Sequence, residues 1–231
     1  MYELKNIALN IAGEADSPPE KAVRLHDFVR DRIRFGLTHK LDFAGAEETM
    51  ELGYGTSSTK GLLLMKLLSE ADINSQMHFV TVKKDFYRHC FPDVVYSLMP
   101  ETVTHCYLEI NVDGTYIPTD SYSVERKLFL EARKVLEGIG EKCGFGIHSE
   151  GSCDWNGKDP CFSQFSCEEQ LVEDHGAFKD PFEYYMHYDS YKHKFLGIRY
   201  SDIMKLIGSM AGGNFEIWIN SKMNQFRSSH S

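Results

Sequence analysis

The stretch Gly53-Tyr54-Gly55-Thr56-Ser57-Ser58-Thr59-Lys60-Gly61 is where this sequence first offers chemistry. Glycines relax a turn, small hydroxyl residues follow, and Leu62-Leu63-Leu64-Met65 opens a helical run. The first amides of a helix lack an intrahelical acceptor, and the helix dipole adds positive charge there. A nucleophile delivered to that point has its anion stabilised, and the same amides can receive the oxyanion of an acyl intermediate. On its own the stretch also reads as a glycine-rich loop before a serine-capped core helix. Two further residues weigh against that plainer reading. His105 begins the strand pattern Thr104-His105-Cys106-Tyr107-Leu108-Glu109, and Asp120 ends the next one, Tyr116-Ile117-Pro118-Thr119-Asp120. A tight Asp113-Gly114 turn sets the two side by side near one end of a hairpin. That is how a carboxylate holds the tautomer and orientation of an imidazole. Ser57, His105 and Asp120 are therefore the candidate catalytic residues.

Positioning them requires a helix, a sheet and their supports. Ser17-Pro18-Pro19-Glu20 is a helix start with a capping box, and Ala22, Leu25, Val29 and Ile33 recur at helical spacing as far as Phe35-Gly36. A short helix is expected over Ala46–Leu52, broken by Gly53. The run from Ser58 to Ala71 is apolar nearly all round, which predicts a buried central helix. Gln76–Val82 and Val103–Val112 read as strands, with Thr115–Pro118 returning antiparallel. Beyond about residue 130, Gly138, Gly140, Gly144, Gly146, Gly151 and Gly157 punctuate a long irregular stretch, a candidate substrate lid. Helices are expected from Asp180-Pro181, from Ser201-Asp202 and over Asn214–Phe226. The organisation predicted is a core over residues 1–130 and a glycine-rich and helical extension over 131–231.

With these residues in place the chain resembles the transglutaminase-like superfamily, rearranged relatives of papain-type thiol enzymes. The resemblance covers about residues 17–122. It rests on the Glu20–Phe35 helix, on Ala46–Gly55 leading to the Gly55-x-Ser57-x-x-Lys60 pattern and a leucine-rich helix, on Ala71–Gln76, and on the His105 and Asp120 strands. It implies an α+β, papain-like fold in which a central buried helix packs on an antiparallel sheet, with a C-terminal helical extension. It also implies acyl transfer on an amide or thioester, as a hydrolase or acyltransferase, with no cofactor and no metal. The partner implied is a peptide, amide or acyl-thioester substrate.

One residue departs from the family pattern. Cysteine belongs where this chain has Ser57, in a register fixed by Gly55 and Lys60. A serine hydroxyl is far less acidic than a thiol and must lose its proton as it attacks, so a site shaped for sulfur loses most of its rate. We read Ser57 as an engineered cysteine-to-serine change that silences the site. A natural relative that only binds, and a working serine enzyme, are the alternatives.

Other motifs carry less. Ser57-Ser58-Thr59-Lys60 satisfies the S-x-x-K of penicillin-binding enzymes, but their K-T-G and Ser-x-Asn elements have no match. His78 on a strand reads as a core or interface residue, His89 beside Cys90 lacks an orienting carboxylate, and His187 and His193 are poorly spaced for one helical face. Lys60 reads either as a group near the site that helps recognise a substrate acid or as a solvated or salt-bridged lysine. Six cysteines without a CxxC pair indicate neither a zinc cage nor a disulfide scaffold. Reduced thiols in the cytoplasm are the simplest expectation, and a Cys153–Cys161 bridge would fit an exported protein. The 231 residues carry a formal charge of −9, which argues against nucleic acid as the main partner. No apolar run approaches the roughly 18 residues of a membrane helix.

Overall fold

The computed structural model describes residues 4–13, 15–166, 169–187, 194–195, 198–199, 202, 206 and 215–228. The fold is α+β, with an antiparallel sheet packed against helices. After α1 (Leu4–Ala12) comes α2 (Pro18–Arg32). The amide of Glu20 donates to the Ser17 hydroxyl at 3.4 Å, while the Glu20 carboxylate reaches the amide of Asp16 rather than closing the box on Ser17. Strand β1 (Arg34–Phe35) pairs in parallel with β2 (Tyr54–Gly55), and α3 (Ala46–Leu52) lies between them. Gly53 ends α3 in the left-handed region at φ 67°, a conformation glycine adopts without a Cβ penalty. Then follow α4 (Ser57–Glu70), β3 (Ser75–Lys83), the short α5 (Asp93–Leu98), β4 (Thr102–Val112) and β5 (Thr115–Thr119). The β4–β5 turn is the expected one, with Asp113 and Gly114 both at positive φ.

Alternation along the strands sorts side chains into two cores. Met77, Phe79, Cys106, Leu108 and Ile110 face α2 and α4, meeting Leu25, Val29, Leu63, Leu64, Leu67 and Leu68. Val80 and Val82 belong to the opposite layer with Phe86, Leu128, Phe129, Leu136, Phe215, Ile219 and Met223. The central helix predicted from the leucine run is thus buried as expected.

The C-terminal half departs from the irregular stretch that its glycines suggested. Residues Arg126–Ile139 form α6, burying Leu128, Phe129, Ala132 and Leu136. That i, i+1, i+4, i+8 spacing is an amphipathic signal, and the glycine count obscured it. Two short strands follow, β6 (Cys143–Gly144) paired with β7 (Ile147–His148). Leu171–Phe178 forms β8, which pairs antiparallel with β3 and gives the sheet the order β5-β4-β3-β8. The region expected as an extension therefore supplies a strand of the main sheet. Helix α7 (Pro181–His187) starts where Asp180 was expected to cap, with the Phe182 amide on its carboxylate at 2.9 Å. The predicted Asn214–Phe226 helix is α8 (Phe215–Ile219) and α9 (Ser221–Ser228), separated at Asn220. The Asn220 side chain accepts from the amide of Leu37 at 2.9 Å and donates to its carbonyl at 2.8 Å, fixing the loop after β1. Of the helix expected from Ser201-Asp202 only Asp202 and Leu206 are described, both of them helical, while His193 and the side chain of His187 lie outside the described residues.

Candidate functional site

Helix α4 carries the first of the predicted residues. Thr56 is its N-cap, forming a reciprocal capping box with Thr59, and the Thr56 hydroxyl also bonds the carboxylate of Asp42. Ser57 is the first helical residue, 4% exposed, so its amide and that of Ser58 lie at the positive end of the dipole. Tyr122 donates its hydroxyl to the Ser57 carbonyl at 3.1 Å. Burial raises the Tyr122 phenol well above its ordinary range, which keeps it a neutral donor.

That contact depends on Gly61. A Cβ at residue 61 would stand 2.7 Å from the Tyr122 hydroxyl oxygen and 2.9 Å from the Met77 methyl. Gly61→Ala gains about 1 kcal/mol of helix propensity but overpacks a fully buried ring, a cost of about 1–3 kcal/mol. We expect a net loss of up to about 2 kcal/mol in urea unfolding, and a stabilised variant would contradict this packing.

The hairpin places His105 and Asp120 together. The Nε2 of His105 is 3.1 Å from Oδ2 of Asp120, and both side chains are sealed from solvent. Phe165 and Phe86 pack on the imidazole, with ring centroids 5.0 and 5.6 Å away. Nδ1 of His105 is buried and has no hydrogen-bond partner. Ser57 is bonded to neither His105 nor Asp120, and the three predicted residues do not all meet: His105 pairs with Val80 and packs on Phe86, on the sheet face away from α4. Ser57 lies instead beside Cys106, the next residue along β4, which faces α4. Cys106 Sγ is 3.6 Å from the Ser58 hydroxyl, and the Ser57 hydroxyl acts on the same thiol. Burial pushes Cys106 up to about 12, against a smaller opposing pull from Ser58 and then Ser57. Burial thus keeps this thiol protonated at neutral pH.

A polar network that the sequence did not reveal surrounds Asp120. Residue Cys161 pairs in parallel with Thr119, and the chain beyond it turns inward. The amides of Ser163 and Gln164 and the Ser163 hydroxyl all donate to the Asp120 carboxylate. From the other side, His26 of α2 meets the Ser121 hydroxyl at 2.7 Å through Nε2 and Asp27 at 2.8 Å through Nδ1. Burial lowers the His26 pKa, with Asp27 opposing, so this histidine serves as a neutral connector. No local spacing signals these partners, which come from residues 26 and 161–164.

Lys60 is neither solvated nor bridged to a carboxylate. Its side chain is fully buried, and Nζ donates to the carbonyls of Arg30 and Ile33 at 3.0 and 2.6 Å. These are acceptors at the end of α2, so Lys60 caps a helix and is engaged away from Ser57. His78 is bonded on both sides, to Glu109 at 2.9 Å and Asp174 at 2.6 Å. His89 meets Glu141 at 3.1 Å, whereas Cys90 bonds the Phe86 carbonyl. Cys153 and Cys161 are free thiols. Among the described residues no group of three or more metal-binding side chains forms, and no helix is long and apolar enough to cross a membrane.

Fold and site define an α+β protein with a buried histidine–aspartate pair on its β4–β5 hairpin. No family model matches the chain. No curated protein matches it either. Among solved structures, a protein from Parabacteroides distasonis described as "a putative protease" aligns at 16% identity and a TM-score of 0.36. The alignment covers 51% of this chain and 22% of that one, so the present chain spans under a quarter of that neighbour's length.

Proposed function

We propose that the protein is built for thiol-type acyl transfer on an amide or thioester, in the manner of the transglutaminase-like enzymes its sequence resembles. The observation that carries this reading is the His105–Asp120 hydrogen bond with Nδ1 of His105 left unpartnered. With Nε2 engaged by the carboxylate, Nδ1 is the nitrogen left to exchange a proton with a nucleophile.

The residue at position 57 attacks the acyl carbon. In this reading His105 takes its proton, or pairs as imidazolium with a thiolate, and then protonates the leaving amine or thiol. That step requires the end of β4 to turn His105 from the far sheet face toward α4. Asp120 holds the ring, and the amide of residue 57 receives the oxyanion. Water as the second acceptor gives hydrolysis, and an amine gives transamidation. The mechanism uses no cofactor. Serine at position 57 slows it severely, which fits a cysteine-to-serine change at the nucleophile.

The second reading is a binding module that holds a peptide or acyl group. It is favoured by the serine itself and by the lack of any hydrogen bond from Ser57 to His105. The two readings are separated by assaying the Ser57→Cys protein, with and without His105→Ala, on reporter amides and thioesters. Turnover that depends on His105 supports the enzyme. Ligand binding by the Ser57 form, with no turnover by either variant, supports the module.

A further inference from the structure

Residues 161–165 pack directly on the candidate pair, Phe165 against the His105 ring and residues 161–164 against the strand end that carries Asp120. Thr119 and Asp120 at the end of β5 are flanked by residues 161–164. The Cys161 amide donates to the Pro118 carbonyl at 3.2 Å, and the Asp120 amide to the Cys161 carbonyl at 3.1 Å. The Thr119 hydroxyl adds a bond to that same carbonyl at 2.8 Å. This short parallel pairing sets the register of the next two residues. Ser163 then presents its amide and, at 3.1 Å, its hydroxyl to Oδ1 of Asp120, while the Gln164 amide spans both carboxylate oxygens at 3.3 Å. Ser163, Gln164 and Asp120 are all fully buried. A carboxylate removed from water needs its oxygens satisfied, and here four N–H or O–H groups, including His105, share the task.

We infer that Ser163 is a positioning residue for the His105–Asp120 pair and that residues 161–164 complete the site. This rests on the acyl-transfer reading for its catalytic consequence, but not for its geometry. Nδ1 of His105 points usefully only if the ring cannot swing about its bond to Asp120. The carboxylate can hold the ring only if it is itself held. One side of it is fixed by Ser163 and Gln164, and the adjoining Ser121 is fixed by His26. The segment is therefore more than a cover over the cleft, since without it Asp120 keeps one strong partner and gains rotational freedom.

The test uses the full chain and two readouts. In the Ser57 protein, the imidazole Nε2–H of His105 is expected to give a low-field proton resonance by NMR that reports its bond to Asp120. Ser163→Ala is expected to shift and broaden that resonance, and Ser163→Thr, which keeps the hydroxyl, to restore it. In the Ser57→Cys background, Ser163→Ala is expected to lower kcat about tenfold with KM within about twofold, again with recovery in the threonine variant. A resonance identical in wild type and Ser163→Ala, measured on protein with native-like amide dispersion, overturns the positioning role whatever the activity. If Ser163→Ala fails to fold, Ser163→Cys and Ser163→Thr are compared in its place, and equal resonances in those two count against the role. A resonance that moves as expected while no Ser57→Cys protein turns over any substrate leaves the clamp standing and removes the acyl-transfer reading.

Discussion

Replacing Ser57 by cysteine is expected to raise turnover of reporter amides or thioesters by about 10³-fold over the Ser57 protein. The change adds no volume problem, since sulfur replaces oxygen at the first residue of α4, beside the Cys106 thiol and the Ser58 hydroxyl. What it changes is the acidity of the nucleophile. A thiol at a helix start can ionise before attack, whereas a hydroxyl must shed its proton in the transition state. Adding His105→Ala should return activity to the level of the Ser57 protein. Adding Asp120→Asn should remove most of it, since the amide cannot hold the same tautomer. The pattern to look for is a loss of kcat with KM little changed, because neither residue is needed to hold a ground-state substrate. A Ser57→Cys protein that melts like its parent yet turns over neither amides nor thioesters would sink the enzymatic reading.

How much of this was legible in the sequence differs element by element. Local signals performed well. The leucine run gave a buried α4, Asp113-Gly114 gave the hairpin, and Ala46–Leu52 matched α3 residue for residue. Each of these depends on spacing within about fifteen residues, which a single sequence displays. The juxtaposition of His105 and Asp120 was also legible, because a two-residue turn fixes the register of both strands.

What escaped was whatever depended on distant partners or on competing cues. Helix α6 was hidden because Gly138 and Gly140 suggested a loop, although Gly140 at φ 73° merely ends the helix. Strand β8 was hidden because Leu171-Val172-Glu173-Asp174 is exposed along its length and lacks the apolar alternation of a half-buried strand. The contacts of Ser163 with Asp120 span 43 residues, and those of His26 with Ser121 span 95. Nothing in the local composition announces such pairs, since serine and histidine are unremarkable in loops and helices. The His105–Asp120 pair was therefore readable, whereas the residues that hold it, and its separation from Ser57, were not.

Lys60 shows how far such holding goes, and it leads to the second large effect expected. Its ammonium group serves the carbonyls of Arg30 and Ile33, which lie where α2 gives way to β1 and have no later turn to satisfy them. Burial drives its pKa down to about 7, with the charges of Glu125 and then Asp31 pulling the other way. In the unfolded chain the same lysine keeps its proton to about pH 10.4. Between those values the unfolded state binds a proton that the folded state has released, so Lys60 makes stability rise with pH. Below about 7 both states are protonated, and the full cost of burying the charge is present.

Lys60→Met keeps most of the volume, removes the charge and strands two buried carbonyls. It should be less stable than the parent by about 1–3 kcal/mol near pH 7. That gap should widen by about 2 kcal/mol at pH 9, because only the parent gains from deprotonation. Urea unfolding of both proteins at pH 6, 7.5 and 9 measures the difference directly and cancels contributions from other titrating groups. A gap that does not change with pH would show that the ammonium is not depressed, and no gap at all would show that the carbonyls need no donor. The same substitution bears on the site, because Lys60 is the fourth residue of α4 and ties the end of α2 to the helix that carries Ser57. Loosening that tie should lower the activity of the Ser57→Cys protein even at pH 7 and 25 °C, where the variant remains folded.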